Sequence, residues 1–191
     1  MPLILEGLVT TFNADRTVNL APMGPIVDVT MDRLLLRPFQ SSTTFANLKR
    51  QGEGVFHVTD DVELLARRAI GDAGPLPAMR AAEFVDGMIL SDACRWYAFR
   101  VRSIDDRHDR AEVEAEVVGR GVQREFFGFN RAKHAVLEAA ILATRVGILP
   151  DAEIRAEMAR LSSPVAKTGG ASETAAFAYL EEHINRRLGV R

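Results

Sequence analysis

The hydrophobic period of this chain changes once, near Gly128, and that change constrains its fold more than any single motif does. Before Gly128, apolar residues recur at strand spacing between clusters of turn residues. After it they recur at helical spacing. Such a pattern reads as a β-rich body followed by a helical tail. The 191 residues suffice for one domain with a real core and an appended segment. The division expected is residues 1–128 and residues 129–191.

The body reads as strands and turns. Leu3 to Phe12 is one apolar run, Asn13 to Arg16 a turn, and Val18 to Met23 the returning strand of a hairpin. Ile26 to Met31 alternates as a half-buried strand does, and Leu34–Leu36 is a short strand ended at Pro38. Ser41 to Arg50 reads as a helix capped by Ser41 or Ser42, with Phe45 and Leu48 turned inward. Val55–Val58 is a compact strand. Asp60 stands three residues before Glu63, a capping arrangement for a short helix. Gly71 to Glu83 reads as a loop. Arg95–Ile104 and Ala111–Arg120 read as long strands. In the second of these, Val113, Ala115 and Val117 alternate with Glu112, Glu114 and Glu116, giving one dry and one wet face.

The tail reads as three helices. Asn130 caps the first, which runs to about Val146. Asp151 to Leu161 is the second, followed by a loop to Ala171. Ser172 caps the third, with Ala176, Phe177, Leu180, Ile184 and Leu188 on one face.

Composition excludes several classes. A net charge of −2 leaves no broad basic footprint for nucleic acid. The single Cys94 forms no internal disulfide and no zinc site by itself. The apolar start is interrupted by Glu6 and lacks a basic leader. No stretch approaches the roughly 20 apolar residues of a bilayer span. A cytoplasmic protein without membrane or nucleic-acid partners is the expectation.

Chemistry concentrates in Arg37–Lys49. Four hydroxyl residues, Ser41, Ser42, Thr43 and Thr44, follow a basic residue at the start of a helix. Helix N-termini present unpaired N–H groups with partial positive charge, and an arginine clamps phosphate through two parallel hydrogen bonds. The same residues also serve as ordinary caps with a surface charge beside them.

Thr11–Ala14, then Asn19–Met23 with its Ala–Pro–Met–Gly, then Arg37–Pro38–Phe39 and the hydroxyl run, then Asn130–Lys133, occur in an order that resembles flavin reductase-like FMN-binding split barrels. Within that superfamily the layout is similar to the uncharacterised domain of unknown function 447, over nearly the full chain. The resemblance implies an α+β fold, mainly β: a split β-barrel with inserted helices and a C-terminal helical segment. It implies FMN as cofactor, a homodimer with the flavin at the subunit interface, and an oxidoreductase or flavin reductase. It places Asn19, Ala21, Pro22 and Met23 beside the isoalloxazine ring. Arg37, with Ser41, Ser42, Thr43 and Thr44, falls at the phosphate. A carrier or sensor without turnover is the rival function. F420, pyridoxal phosphate and haem are the rival ligands.

A second stretch, Gln123–Glu138, gathers Asn130, Arg131, Lys133 and His134 at a helix N-terminus, where cations are disfavoured unless an anion joins them. Asn130, Arg131 and Lys133 are therefore further candidates for phosphate or ring contacts. Phe126, Phe127 and Phe129 read either as a ring cover or as core and interface. There is no G-x-G-x-x-G, no phosphate loop and no G-x-S-x-G elbow. His57, inside an apolar strand, reads as structural.

Overall fold

The computed structural model describes residues 3–72 and 74–189. The chain forms two compact units. One holds residues 1–59 and 75–126, the other residues 60–74 and 127–191.

The first unit is built on eight antiparallel strands. β2 (Gly7–Phe12) and β3 (Val18–Met23) form the expected hairpin, in register from Gly7 opposite Met23 to Phe12 opposite Val18. Its turn places Arg16 at a φ of 69° and is closed by the Asp15 carboxylate, which accepts from Thr17. The run from Leu3 to Phe12 is not one strand. β1 (Leu3–Ile4) pairs with β4 (Ile26–Val27), whereas β2 pairs with β3 and with β6 (Glu53–Val58). The remaining strands are β5 (Arg33–Leu36), β9 (Arg95–Asp105) and β10 (Glu112–Val122). They complete the order β1-β4-β5-β10-β9-β6-β2-β3. β1 thus lies at one end of the sheet and β2 next to the other, yet only Leu5 and Glu6 separate them. Two residues span only about 7 Å, so the sheet curls until its ends approach. The bond from Leu5 N–H to the Pro25 carbonyl, 3.1 Å, seals that meeting.

Burial follows the alternation seen in the sequence. Val113 and Ala115 of β10 sit opposite Leu36 and Leu34 of β5, and all four are buried. They join Val9, Phe56, Tyr97 and Phe99 in the barrel core. Helix α1 (Thr43–Gln51) adds Phe45 and Leu48 to that core. Gly54 lets β6 pass close beneath Phe99, because a Cβ there would lie 2.7 Å from the ring. A ribbon of β7 (Met79–Ala81) and β8 (Met88–Leu90) replaces part of the loop expected over Gly71–Glu83. Ile89 packs with Val55 and Trp96 in a second cluster. Strand β4 stops at Val27, short of the expected Met31, because the Asp28 carboxylate accepts from the Asp32 N–H and closes a local turn.

The second unit is all helical. It consists of α2 (Val62–Ala69), α3 (Arg131–Ala143), α4 (Asp151–Thr168) and α5 (Ala171–Arg187). Ala135, Ala139 and Ala143 on α3 meet Val62 and Ala66 of α2, Ile154 and Met158 of α4, and Phe177, Leu180 and Ile184 of α5. Small side chains on a central helix allow its neighbours to approach closely. The second inserted helix, α2, therefore belongs with the C-terminal helices, a grouping that its short apolar stripe does not reveal.

The helix caps differ in detail from the sequence reading. Asp61, not Asp60, caps α2, accepting from Leu64 N–H at 2.9 Å. α4 continues through Pro164 to Thr168 instead of ending at Leu161. Proline removes one helical hydrogen bond, but Val165, buried in the helical core, holds the last turn in place. α5 begins at Ala171 after Gly170, whose N–H donates to Glu173 at 2.9 Å, so Ser172 is inside the helix.

Candidate functional site

Strand β3 is an edge strand of the sheet, and it tolerates Pro22 for that reason. Its last residues, Ala21, Pro22 and Met23, form one wall of a recess of about 270 Å³. Arg37 and Pro38 enter from the end of β5, and Ser42 and Thr44 from the start of α1. The recess is completed by Glu6, Gly24, Phe39 and Arg110. Six residues singled out from the sequence, Ala21, Pro22, Met23, Arg37, Ser42 and Thr44, thus meet on one surface.

The hydroxyl run divides by role. Ser42 is the N-cap: its Oγ accepts from Phe45 N–H at 3.1 Å and donates to the Phe39 carbonyl at 2.7 Å. Thr44 is buried, and its Oγ1 accepts from Asn19 Nδ2 at 3.1 Å. Its own O–H finds no acceptor among the described residues. Ser41 and Thr43 are exposed and lie outside the lining: Ser41 sits in the turn before the cap, and Thr43 is turned about 100° from Thr44 on the helix.

Asn19 supports the recess from behind. Its amide nitrogen also donates to Thr11 Oγ1 at 3.1 Å. Asn47 on α1 donates to the same oxygen and to Asn13 Oδ1, at 3.0 and 2.9 Å. This polar web ties α1 to the β2–β3 hairpin.

Arg37 is the distinctive residue of the recess. Its Nε is buried and has no hydrogen-bond partner, and its guanidinium makes no ion pair among the described residues, although Glu6 lines the same recess. Desolvating a guanidinium donor without a partner is unfavourable, so an anion in the recess fits. Several arginines of this unit are instead paired: Arg100 with Glu53, Arg102 with Glu116 and Arg120 with Asp32.

A larger groove of about 1,070 Å³ lies over β4, β5 and β10. Two of its acids, Asp32 and Glu116, are already paired with Arg120 and Arg102. It contains none of the residues singled out from the sequence. The smaller recess therefore has the stronger claim to chemistry.

The second candidate stretch takes structural duties in the helical unit. Asn130 caps α3, accepting from Ala132 and Lys133 N–H at 2.8 and 3.1 Å and donating to the Thr168 carbonyl at 3.0 Å. Lys133 is half-buried; its ammonium pairs with Glu173 at 2.9 Å and donates to the Asp60 carbonyl at 2.7 Å. The anion that this helix start was expected to recruit is thus an internal carboxylate. That hydrogen bond from Lys133 holds the Glu173 carboxyl below its ordinary range. Arg131 is exposed and lines a separate open groove with Phe129 and His134. Phe126, Phe127 and Phe129 are exposed, so none of them is a core residue.

His57 is fully buried. Nε2 accepts from Leu90 N–H at 3.1 Å, so Nδ1 holds the proton and donates to the Leu8 carbonyl at 3.2 Å. Burial pushes its pKa down to about 4. The ring is neutral and structural.

Sequence reasoning missed Arg110, Phe39 and Glu6. Arg110 sits in a polar turn, where arginine is unremarkable. Only the pairing of residue 39 with residue 110 brings it to the recess.

Residues 5–124 match the family model described as the N-terminal domain of a protein of unknown function, DUF447, and residues 130–182 match the model described as a protein of unknown function, DUF447. The chain belongs to the DUF447 family. An FMN-bound DUF447 protein from Methanosarcina mazei has a similar structure, with a TM-score of 0.81, 23% identity, and coverage of 96% of this chain and 96% of that one. A flavin reductase domain protein from Arthrobacter aligns at a TM-score of 0.55 and 17% identity, over 65% of this chain and 81% of that chain. The styrene monooxygenase flavin reductase of Pseudomonas putida aligns at 0.53 and 15%, over 62% and 79%. No curated protein matches the sequence. These likenesses show the fold of this DUF447 chain: an α+β protein whose barrel unit is a flavin reductase-like split barrel. None of its helices is long and apolar enough to cross a membrane, among the described residues.

Proposed function

We propose that this DUF447 chain binds FMN in the recess at Arg37 and acts as a flavin-dependent oxidoreductase or flavin reductase on a small molecule. The observation that carries the reading is the Arg37 guanidinium, with a buried Nε lacking any partner, in the same recess as the Thr44 hydroxyl. The FMN bound by the Methanosarcina protein of the same family supports the choice of ligand.

The donor set fits a phosphorylated flavin. Arg37 and Thr44 supply a charged and a neutral donor for the phosphate. The first N–H groups of α1, which the helix leaves unpaired, add to them. Ala21, Pro22 and Met23 offer a flat, mostly apolar strand end for the ring, with backbone groups in reach of its polar edge. A bound flavin supplies hydride and electron transfer itself, and the protein's part is binding, orientation and polarity.

The proposed assembly is a homodimer in which a second copy completes the site. The recess, about 270 Å³, is smaller than the roughly 300–1,000 Å³ of pockets that enclose a whole drug-sized ligand. β3 also leaves one edge of the sheet unpaired, which a second copy would protect.

The test is the visible spectrum of the purified protein, followed by titration with FMN. A flavin spectrum or saturable FMN quenching is expected, and bleaching by NADH or NADPH under argon would identify a reductase. A flavin spectrum without bleaching by any donor would leave a carrier. A Soret band, or uptake of F420 or pyridoxal phosphate but not FMN, would overturn the ligand. A monomeric mass by light scattering at micromolar concentration would overturn the shared site.

A further inference from the structure

Arg110 lies on the rim of the recess, contributed by the turn before β10. Its place is fixed by backbone pairing. Gln40 N–H donates to the Asp109 carbonyl and Ala111 N–H to the Pro38 carbonyl, both at 3.0 Å, which sets Phe39 directly opposite Arg110. Directly opposed residues project to the same face. The Gln40 side chain fastens the turn further, donating to the carbonyls of Asp106 and His108 at 2.6 and 2.8 Å. The Arg110 guanidinium rests on the Phe39 ring, 4.3 Å from its centroid.

No carboxylate or hydrogen-bond acceptor holds Arg110 among the described residues. Stacking on an aromatic face orients a guanidinium and leaves its N–H donors uncommitted. The recess therefore carries two arginines without acid partners among the described residues, Arg37 and Arg110, beside one lining acid, Glu6, that makes no ion pair with either; elsewhere in the unit Arg16, Arg100, Arg102, Arg107 and Arg120 each pair with a carboxylate. One cation balances a phosphodiester, which carries one negative charge. Two match a phosphomonoester, which carries about −1.5 to −2 near neutral pH because its second ionisation lies near 6.

We propose that Arg110 is the second phosphate-reading cation of the recess, and that the Arg37–Arg110 pair makes the chain select a flavin ending in a phosphomonoester. FMN is then preferred over riboflavin, which has no phosphate, and over FAD, whose two phosphates are joined as an anhydride and carry only one negative charge each. This specificity rests on the flavin reading of the same recess.

The experiment is a fluorescence titration of the full chain with FMN, riboflavin and FAD. It compares the wild type with Arg110→Ala and Arg110→Lys, at several pH values from about 5 to 8 around the second phosphate ionisation. The wild type is expected to bind FMN at least about tenfold more tightly than riboflavin or FAD. That preference should grow as pH rises through the second ionisation. Arg110→Ala should weaken FMN by about ten- to hundredfold, the range for one charge-assisted hydrogen bond. It should leave riboflavin within twofold and flatten the pH dependence. Arg110→Lys should recover part of the FMN affinity, and it decides the matter if the alanine variant does not fold. An unchanged FMN-to-riboflavin ratio in Arg110→Ala, or in Arg110→Lys as well as an unfolded alanine variant, overturns the role of Arg110 while wild-type FMN binding leaves the flavin reading standing. A wild type that binds none of the three flavins overturns both.

Discussion

Asn19 on β3 and Thr44 on α1 meet at 3.1 Å, amide nitrogen to hydroxyl oxygen. This bond joins the strand proposed to face the flavin ring to the helix start proposed to face its phosphate. The spacing between the two halves of the recess is therefore set inside the protein, before any ligand arrives. Thr11, Asn47 and Asn13 extend the web, so Asn19 is a structural support of the recess.

Replacing Asn19 by alanine should remove donors to two hydroxyls that are otherwise shielded from water. A loss of about 1–3 kcal/mol in folding stability is expected, measured by urea unfolding. FMN affinity should fall with it, because Thr44 loses the bond that aims its hydroxyl. A variant of unchanged stability would show that water replaces the amide at no cost.

Arg37→Ala should behave in the opposite way. Its guanidinium has no protein partner and its buried Nε is desolvated without compensation, so the substitution should cost no more than about 0.5 kcal/mol of folding stability. FMN binding should weaken by about 1.5–3 kcal/mol. Arg37→Lys should restore only part of the loss, since an ammonium does not reproduce a planar, bidentate fork. Fluorescence quenching and thermal melts on the same samples separate the two effects.

Lys133 is predicted to serve the helical unit. Lys133→Met leaves the Glu173 carboxylate, almost wholly buried, without its cation, and a loss of about 1–3 kcal/mol should follow. The Glu173 carboxyl is depressed in the folded state, so its contribution is present above the ordinary carboxylate range and fades as pH falls through the folded value. FMN affinity measured below the unfolding transition should not change. A selective loss of FMN binding at full stability would return Lys133 to the flavin site.

His57 makes stability depend on acid in a separate window. Its pKa drops from 6.5 in the open chain to about 4 when folded. Between those values the unfolded chain binds more protons, so stability rises with pH. The neutral ring contributes fully above about 6.5, and on the order of 3 kcal/mol is lost on acidification toward 4. Thermal melts from pH 4 to 7 should show this slope, and His57→Gln should flatten it. Equal slopes in both proteins would refute the assignment.

Much of this fold was legible in the residues. The β2–β3 hairpin, the dry and wet faces of β10 and the stripe on α5 follow from periodicity alone. The break between β1 and β2 was not legible, because Leu5 and Glu6 hold no turn signal and only sheet closure requires the separation. The extension of α4 past Pro164 depends on burial of Val165, a tertiary effect. The order of short motifs singled out Arg37, Ser42 and Thr44, which line one recess. Ser41 and Thr43 share their chemistry and differ in position, one in the turn before the cap and one in another helical phase. Arg110 gave no signal, since its place depends on a bridge between distant segments. Lys133 was misleading because the carboxylate that neutralises it lies on a helix forty residues later in the chain.

The most direct test of the account is a crystal structure of the chain with FMN. The phosphate is predicted within hydrogen-bond distance of Arg37 and the Thr44 hydroxyl, and the ring along Ala21–Met23. FMN ordered at some other surface, with the Arg37 guanidinium facing only protein or water, would contradict it.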